Sequence, residues 1–567
     1  MSADERKDTR DPEISSGGEA TARAPGRRGG ARGALLVAAG ILSSRLFGLV
    51  RERVFAHYFG ASVAAAAFKA ALRIPNFLQN LFGEGVLSAS FIPVYAQLLG
   101  RGDGEQARRV AGAVFGLLSL ATSVLVALGV WLTPAFIDAI APGFEGETRA
   151  LTIRLVRILF PMAGILVLSA WCLGVLNSHG RFFLSYAAPI IWNGAMIAAM
   201  VMFGGNAPDE LAVYLAWGAV AGGVLQFLVQ LPSVLSLLGG FRPSLSIAIT
   251  GVRQVMRSFG PVVAGRGVVQ ISAYVDTAYA SLIAERALAA LAYGQTLYLI
   301  PVSLFGMSVS AAELPAMARA TGEGGDVSSV LRERIGKGLE RIAFFVVPSA
   351  AAFLMLGDVV GAALLQTGRF TAGDARYLWY VLMGASVGLL ASTQARLYAS
   401  GFYARKDTRT PLLFAIVRVL LGAGLAWFAG LRLPGLLGVP AELGVVGLTA
   451  ASGLAAWVEF LLLRARLRRE IGGIQGNRKR LATLWGAAVA AGLLGLSLKL
   501  ALTHTFGAAP EAVTQWGGTV LPQPDLWPVW TALIVLGPFG VTYFGLTYAF
   551  GVPEAAVIRR ILRRRGR

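Results

Sequence analysis

A chain of 567 residues that is 55% apolar and only 14% charged, with a mean hydropathy of +0.63, is not a soluble enzyme, because soluble chains hold about a quarter charged residues. Its net charge of +20 does not indicate a nucleic-acid partner, since the basic residues fall in short loops and tails between apolar runs. The single cysteine, Cys172, excludes internal disulfides, and the three histidines (His57, His179, His504) are scattered without a metal-ligand spacing.

Residues 1–32 are polar and rich in Gly, Arg and Ala, with no apolar core, and read as a disordered basic cytoplasmic tail. Apolar runs long enough to cross a hydrocarbon layer of ~30 Å then recur to Phe550. The first seven are expected near 34–58, 62–98 (interrupted near Pro75), 107–138, 150–176, 182–204, 210–239 and 252–282. Seven more are expected near 286–319, 329–367, 373–402, 410–431, 441–468, 480–503 and 526–551. The fold class is all-α: a polytopic integral membrane protein of about fourteen transmembrane helices.

Alternate loops separate by charge. One set holds Arg101, Arg108, Arg109, Arg181, Arg242, Arg253, Arg257, Arg332, Arg405, Lys406 and the terminal "RRILRRRGR", whose role is orientation and attraction to anionic lipid. The opposite set holds acids such as Asp138, Glu145, Glu147, Asp209 and Glu210. Both termini are therefore expected on the cytoplasmic side.

Charges inside the runs are the functional signal, because an arginine at mid-membrane costs at least ~2.5–3.5 kcal/mol. In "SSRLFGLVRERVFAHYFG", Arg45, Gly48 and Glu52 share a helix face, with Arg51 about 100° around. One acid cannot neutralise both arginines. Arg53, like Lys499 later, is expected to reach the interface by snorkelling. The second run carries Arg73, Asn76, Asn80, Glu84 and Ser88 as one polar stripe, with Gln79 beside it. Later runs carry the pair Gln226 and Gln230, then Arg266, Gln270, Asp276 and Arg396, while Glu313 beside Pro315 reads as structural. Guanidinium groups suit phosphate through their planar fork of donors. The expectation is a basic, hydrated cavity for a phosphate-bearing anion, weighed against helix–helix hydrogen bonds and buried ion pairs. No GxxxxGK[ST] or H-E-x-x-H sequence is present, and no cofactor is called for.

The chain resembles the MurJ/MviN lipid II flippase family of the multidrug/oligosaccharidyl-lipid/polysaccharide exporter superfamily. The resemblance rests on "SRLFGLVRERVFAHYFGAS", "RIPNFLQNLFGEGVLSASFIPVYAQ", "VLNSHGRFFLSYAAPIIWN", "FGPVVAGRGVVQIS", "LLQTGRFTAGDA" and "GFYARKDTRTP", in this order. It implies two six-helix lobes (33–240 and 241–470) about a pseudo-two-fold axis, and a C-terminal helix pair with a basic tail (471–567). It further implies a location in the bacterial cytoplasmic (inner) membrane and no enzymatic activity. The implied function is alternating-access movement of undecaprenyl-pyrophosphate-linked peptidoglycan precursor to the outer leaflet. Cavity arginines of the family match Arg45 and Arg51, with Glu52 beside them. The candidate substrate-binding set is thus Arg45, Arg51, Glu52, Arg73, Asn76, Gln79, Asn80, Arg266, Gln270 and Arg396, and Asp276 matches a position that holds a cation in some members. The sequence departs from the family pattern at Ala66, where an acid is expected, and at Gln79 and Thr296, where arginines are expected. The span-11 asparagine is also missing from "LLFAIVRVLLGAGLAWF". Two alternatives stay open: another polyprenyl-linked glycan as cargo, or a divergent, non-transporting paralogue that scaffolds envelope assembly. Implied partners are the lipid-linked pyrophosphate, the bilayer and the cell-wall synthesis machinery; the oligomeric state is left open.

Overall fold

The computed structural model describes residues 27–320, 327–474, 478–509 and 523–555; residues 1–26 of the N-terminal tail and "RRILRRRGR" lie outside them, whereas 27–32, expected as disordered tail, begin the first helix. Helices account for the apolar runs. They are α1 (Arg27–Phe59), α2 (Val63–Phe82), α3 (Glu84–Gly100), α4 (Gly104–Trp131), α5 (Thr133–Ile140), α6 (Gly146–Ser178), α7 (Phe182–Phe203) and α8 (Pro208–Leu238). There follow α9 (Thr250–Ile283), α10 (Glu285–Pro301), α11 (Ser308–Ala320), α12 (Val327–Leu365), α13 (Ala372–Ala404) and α14 (Arg409–Ala426). The chain ends on α15 (Leu433–Leu437), α16 (Gly444–Ile471), α17 (Arg478–Phe506) and α18 (Pro528–Ala549). π-helical turns at Val302–Met307 and Trp427–Arg432 join α10 to α11 and α14 to α15.

Among the described residues, eleven helical segments are long and apolar enough to cross a membrane. α1, the α2–α3 pair and α9 are further long segments outside that set; they carry Arg45, Arg51, Arg73 and Arg266, whereas Arg396 lies on α13, within it. Capping fixes several starts: Ser62 accepts from Ala65 N–H, Asp103 from Gln106 N–H, and Thr371 with Asp374 forms a reciprocal capping box.

One expectation needs correction. The second run does not break at Pro75, which lies inside α2. It breaks at Gly83, where a Cβ would meet the Gln79 carbonyl oxygen at 2.3 Å. Gly83 has extended rather than helical backbone (ψ −148°), so Glu84 and Ser88 leave the register of Arg73, Asn76 and Asn80, and the polar stripe is not continuous.

α1–α8 pack on one another as an N-terminal bundle, and α10–α16 form a C-terminal one. α9 touches both. In the C-terminal bundle α13 and α16 approach closely because glycines face each other; a Cβ on Gly388 would lie 2.3 Å from Gly453 Cα. α17 and α18 pack on α12, which kinks at Leu356 (φ −133°, ψ 21°). Lys499 does not snorkel. It is fully buried, pairs with the equally buried Asp358 at 2.5 Å, and fastens α17 to the kink.

The buried apolar residues divide unevenly. The core around Phe55, Phe59, Phe68 and Leu155 is continuous with the C-terminal bundle. The core around Phe91, Tyr95, Val110 and Trp171 is separate and reaches only to the start of α9. The bundles are therefore joined at the face that carries Gly60 and part toward the face that carries Arg101.

Candidate functional site

Glu52 sits at the centre of the charges on α1 and α2. Its side chain is 6% exposed and accepts from Arg51 Nη2 at 2.7 Å and Lys69 Nζ at 2.5 Å. The Arg51 guanidinium lies 5.1 Å over the Trp192 ring, and Lys69 lies 4.3 Å over Phe55 and 5.3 Å over Tyr293 of α10. The acid is thus shared by Arg51 and Lys69. Lys69 was not foreseen, although it stands four residues before Arg73 and so belongs to the same face of α2. Arg45 lies two turns before Glu52 on the same face of α1, about 10 Å along the axis. It is exposed and forms no ion pair or hydrogen bond among the described residues.

Arg73 makes a contact between the bundles. Its guanidinium donates to the Ala273 carbonyl at 2.6 Å and to Thr277 and Gln295, while Tyr274 donates back to the Arg73 carbonyl at 3.1 Å. These acceptors are neutral. Asn76 and Gln79 are half-buried and Asn80 is exposed.

Toward the Gly60 face the bundles are clasped. Arg53 Nη1 donates to the carbonyls of Ala363 and Leu364, both at 2.9 Å. It does not snorkel; it satisfies orphan carbonyls at the C-terminus of α12. His57 contacts Thr367 at 2.9 Å, Arg369 N–H donates to the His57 carbonyl at 2.8 Å, and Tyr293 donates to the Gly60 carbonyl at 2.8 Å. Gly143 N–H donates to Ser281 at 3.2 Å. Gly60 (φ +58°) is needed at the junction, because a Cβ there would meet the Arg369 carbonyl oxygen at 2.5 Å. Among the described residues, the hydrogen bonds between the bundles run from this face to Arg73, which lies about 15 Å along α2. Arg45, about 21 Å from the end of α1, lies beyond them.

Other sequence candidates fall elsewhere. Gln226 and Gln230 both donate to Ser169, at 3.0 and 2.9 Å, and are internal to the N-terminal bundle. Glu313 pairs with Arg334 at 3.2 Å, as a structural residue would. The side chains of Arg266 and Gln270 lie outside the described residues, on the backbone of α9. Arg396 is exposed on α13 and belongs with Arg418 and Glu459 of the C-terminal bundle, the latter two paired at 3.0 Å.

Asp276 lines a cavity of about 140 Å³ with Gln295, Tyr298, Arg418, Thr449 and Ser452. Its carboxylate accepts from Ser452 at 3.2 Å. The donor set suits a metal ion poorly, because one carboxylate shares the cavity with a guanidinium and hard cations take six or more oxygens. Among the described residues no group of three or more His, Cys, Asp or Glu could hold a metal.

The profile of one protein family, lipid II flippase MurJ, matches residues 55–510. The chain is 31% identical to the lipid II flippase MurJ of Burkholderia cenocepacia, over 93% of this chain and 99% of that one. It is 30% identical to a probable lipid II flippase MurJ of Haemophilus influenzae, over 88% and 97%. A solved structure titled lipid II flippase MurJ, inward closed conformation, superposes with a TM-score of 0.71 at 22% identity, covering 91% of this chain and 99% of the other. An inward-facing multidrug resistance MATE family transporter superposes with a TM-score of 0.61 at 18% identity, covering 77% and 98%. The last two likenesses concern the fold.

Proposed function

Since the chain belongs to the lipid II flippase MurJ family, we propose that the gap between its bundles receives the diphosphate of lipid II on the Arg101 side. The protein is a multi-pass inner-membrane transporter, not an enzyme. The basic loops support a cytoplasmic Arg101 face, with both termini on that side. The conformation described is then open inward and clasped outward.

The observation that carries this reading is the imbalance on α1 and α2: Arg45, Arg51, Lys69 and Arg73 share the two helices with the single carboxylate of Glu52, which only Arg51 and Lys69 touch. A diphosphate entering from the cytoplasmic leaflet meets Arg45 first, exposed and unpaired. It then approaches Arg51, which holds Glu52 through one nitrogen and keeps further donors for an anion. Lys69 supplies on α2 a cation in place of the arginine expected at Gln79, and lies over the Tyr293 ring of the opposite bundle. The polyprenyl tail stays in lipid, beside α17 and α18. Outward opening requires the Arg53, His57 and Tyr293 contacts to break and the bundles to rock about Arg73.

The test is rescue of a bacterium depleted of its own flippase. Arg45→Ala and Arg51→Ala are expected to reach wild-type levels in the membrane and fail to rescue, with Arg51→Lys rescuing in part. Full rescue by both alanine variants would overturn the anion site.

A further inference from the structure

The N-terminal bundle carries a second pair of arginines that the gap does not use. Arg154 and Arg157 stand one turn apart on α6, ahead of the uncharged, apolar stretch 158–175 of that span. Both are exposed. They open into a cleft of about 530 Å³ between α6 and α8, walled by Ile153, Ile158, Pro161 and Val220, with Trp217 at its side. Trp217 is 57% exposed and Tyr214, one turn before it, 40%, so the cleft faces away from the core.

Among the described residues, neither arginine has a protein counter-ion. Asp138, a nearby carboxylate, is held by Arg149 through two bonds of 2.8 and 3.1 Å. Among the described residues neither Arg154 nor Arg157 forms an ion pair or a hydrogen bond. Orientation does not explain them, because they stand in the half of the span that adjoins the acidic loops, where the charge bias disfavours cations. Their depth is informative. α6 has 33 residues and is about 50 Å long, and the two arginines lie about 12 and 17 Å from its start. A hydrocarbon layer of ~30 Å centred on the helix begins about 10 Å from that start. Both guanidinium groups therefore lie just inside the hydrocarbon edge, within a side chain's reach of the headgroup phosphates. An exposed tryptophan at this level is the usual companion of that boundary.

We propose that this cleft binds the phosphate of an anionic bilayer lipid from the leaflet on the Gly60 side. Two guanidinium forks one turn apart engage a phosphodiester, and the apolar walls take the upper part of an acyl chain. The site is open sideways to lipid rather than to the gap, so its occupant arrives by lateral diffusion. The proposal does not depend on the cargo.

The test is photo-crosslinking of the full-length protein in nanodiscs with a photoactivatable phosphatidylglycerol, and in parallel with the matching phosphatidylcholine. Labelled peptides are mapped by mass spectrometry. Phosphatidylglycerol is expected to label α6 and α8 around the cleft at least tenfold more than phosphatidylcholine. Arg154→Gln with Arg157→Gln should remove that excess, and Arg154→Lys with Arg157→Lys should keep part of it. Equal labelling of the cleft by the two lipids in the wild type overturns the proposal whatever the variants do. So does an excess that survives in the glutamine variant, or one that soluble glycerol 3-phosphate competes away, which would mark a site for free phosphate.

Discussion

Arg53→Ala releases the outer clasp. In the structure one nitrogen of Arg53 serves two carbonyls at the end of α12, each at 2.9 Å. A hydrogen bond from a charged donor contributes about 1.5–3 kcal/mol, and the half-buried setting places each of these at the low end. Their joint loss costs about 3 kcal/mol, which is about a hundredfold in the equilibrium between clasped and open forms. The assay is thiol accessibility. Ser281 is 3% exposed and sits in the clasp, accepting from Gly143 N–H. With the buried native thiol removed by Cys172→Ala, Ser281→Cys is labelled by a membrane-impermeant maleimide only when the clasp opens. Arg53→Ala should raise the labelling rate by up to a hundredfold, and Arg53→Lys by less. A rate within twofold of the parent, in a variant that folds, would refute the clasp.

Three other outcomes are expected. Glu52→Gln leaves Arg51 and Lys69 facing each other in a nearly dry site and should cost about 3–5 kcal/mol; adding Lys69→Met should recover most of the lost thermal stability in detergent, and no recovery would place the stabilisation elsewhere. Lys499→Met strands the Asp358 carboxylate and should likewise cost about 3–5 kcal/mol, whereas Lys499→Met with Asp358→Leu should lie near wild type in a double-mutant thermal series. Gly453→Val forces three side-chain carbons into the α13–α16 contact and should destabilise by at least about 1–3 kcal/mol, read as a lower thermal midpoint; an unchanged midpoint would contradict the close helix approach.

Periodicity made the spans legible, and it puts Arg45 and Glu52, seven apart, on one side of the first helix. Partners were not legible. Lys499 looks like a residue near a span end, and only the fold brings Asp358, 141 positions away, into contact with it. Arg53 reads as a snorkelling residue for the same reason: its acceptors are backbone carbonyls, which carry no sequence signal. Lys69 stands four residues before Arg73, but a lone lysine in an alanine-rich run carries no signal of Glu52, 17 positions away. The break at Gly83 was hidden by the louder proline at 75, which a helix in a packed membrane protein tolerates. Arg154 and Arg157 were lost in an otherwise apolar run, where two charges scarcely move the mean.

The most direct measurement is translocation of fluorescent lipid II in proteoliposomes that contain the purified full-length chain. Lipid II should cross with the wild-type protein and not with Arg45→Ala/Arg51→Ala, at equal reconstitution and equal thermal stability. Wild-type rates from that double variant would contradict a diphosphate held by the charges of α1.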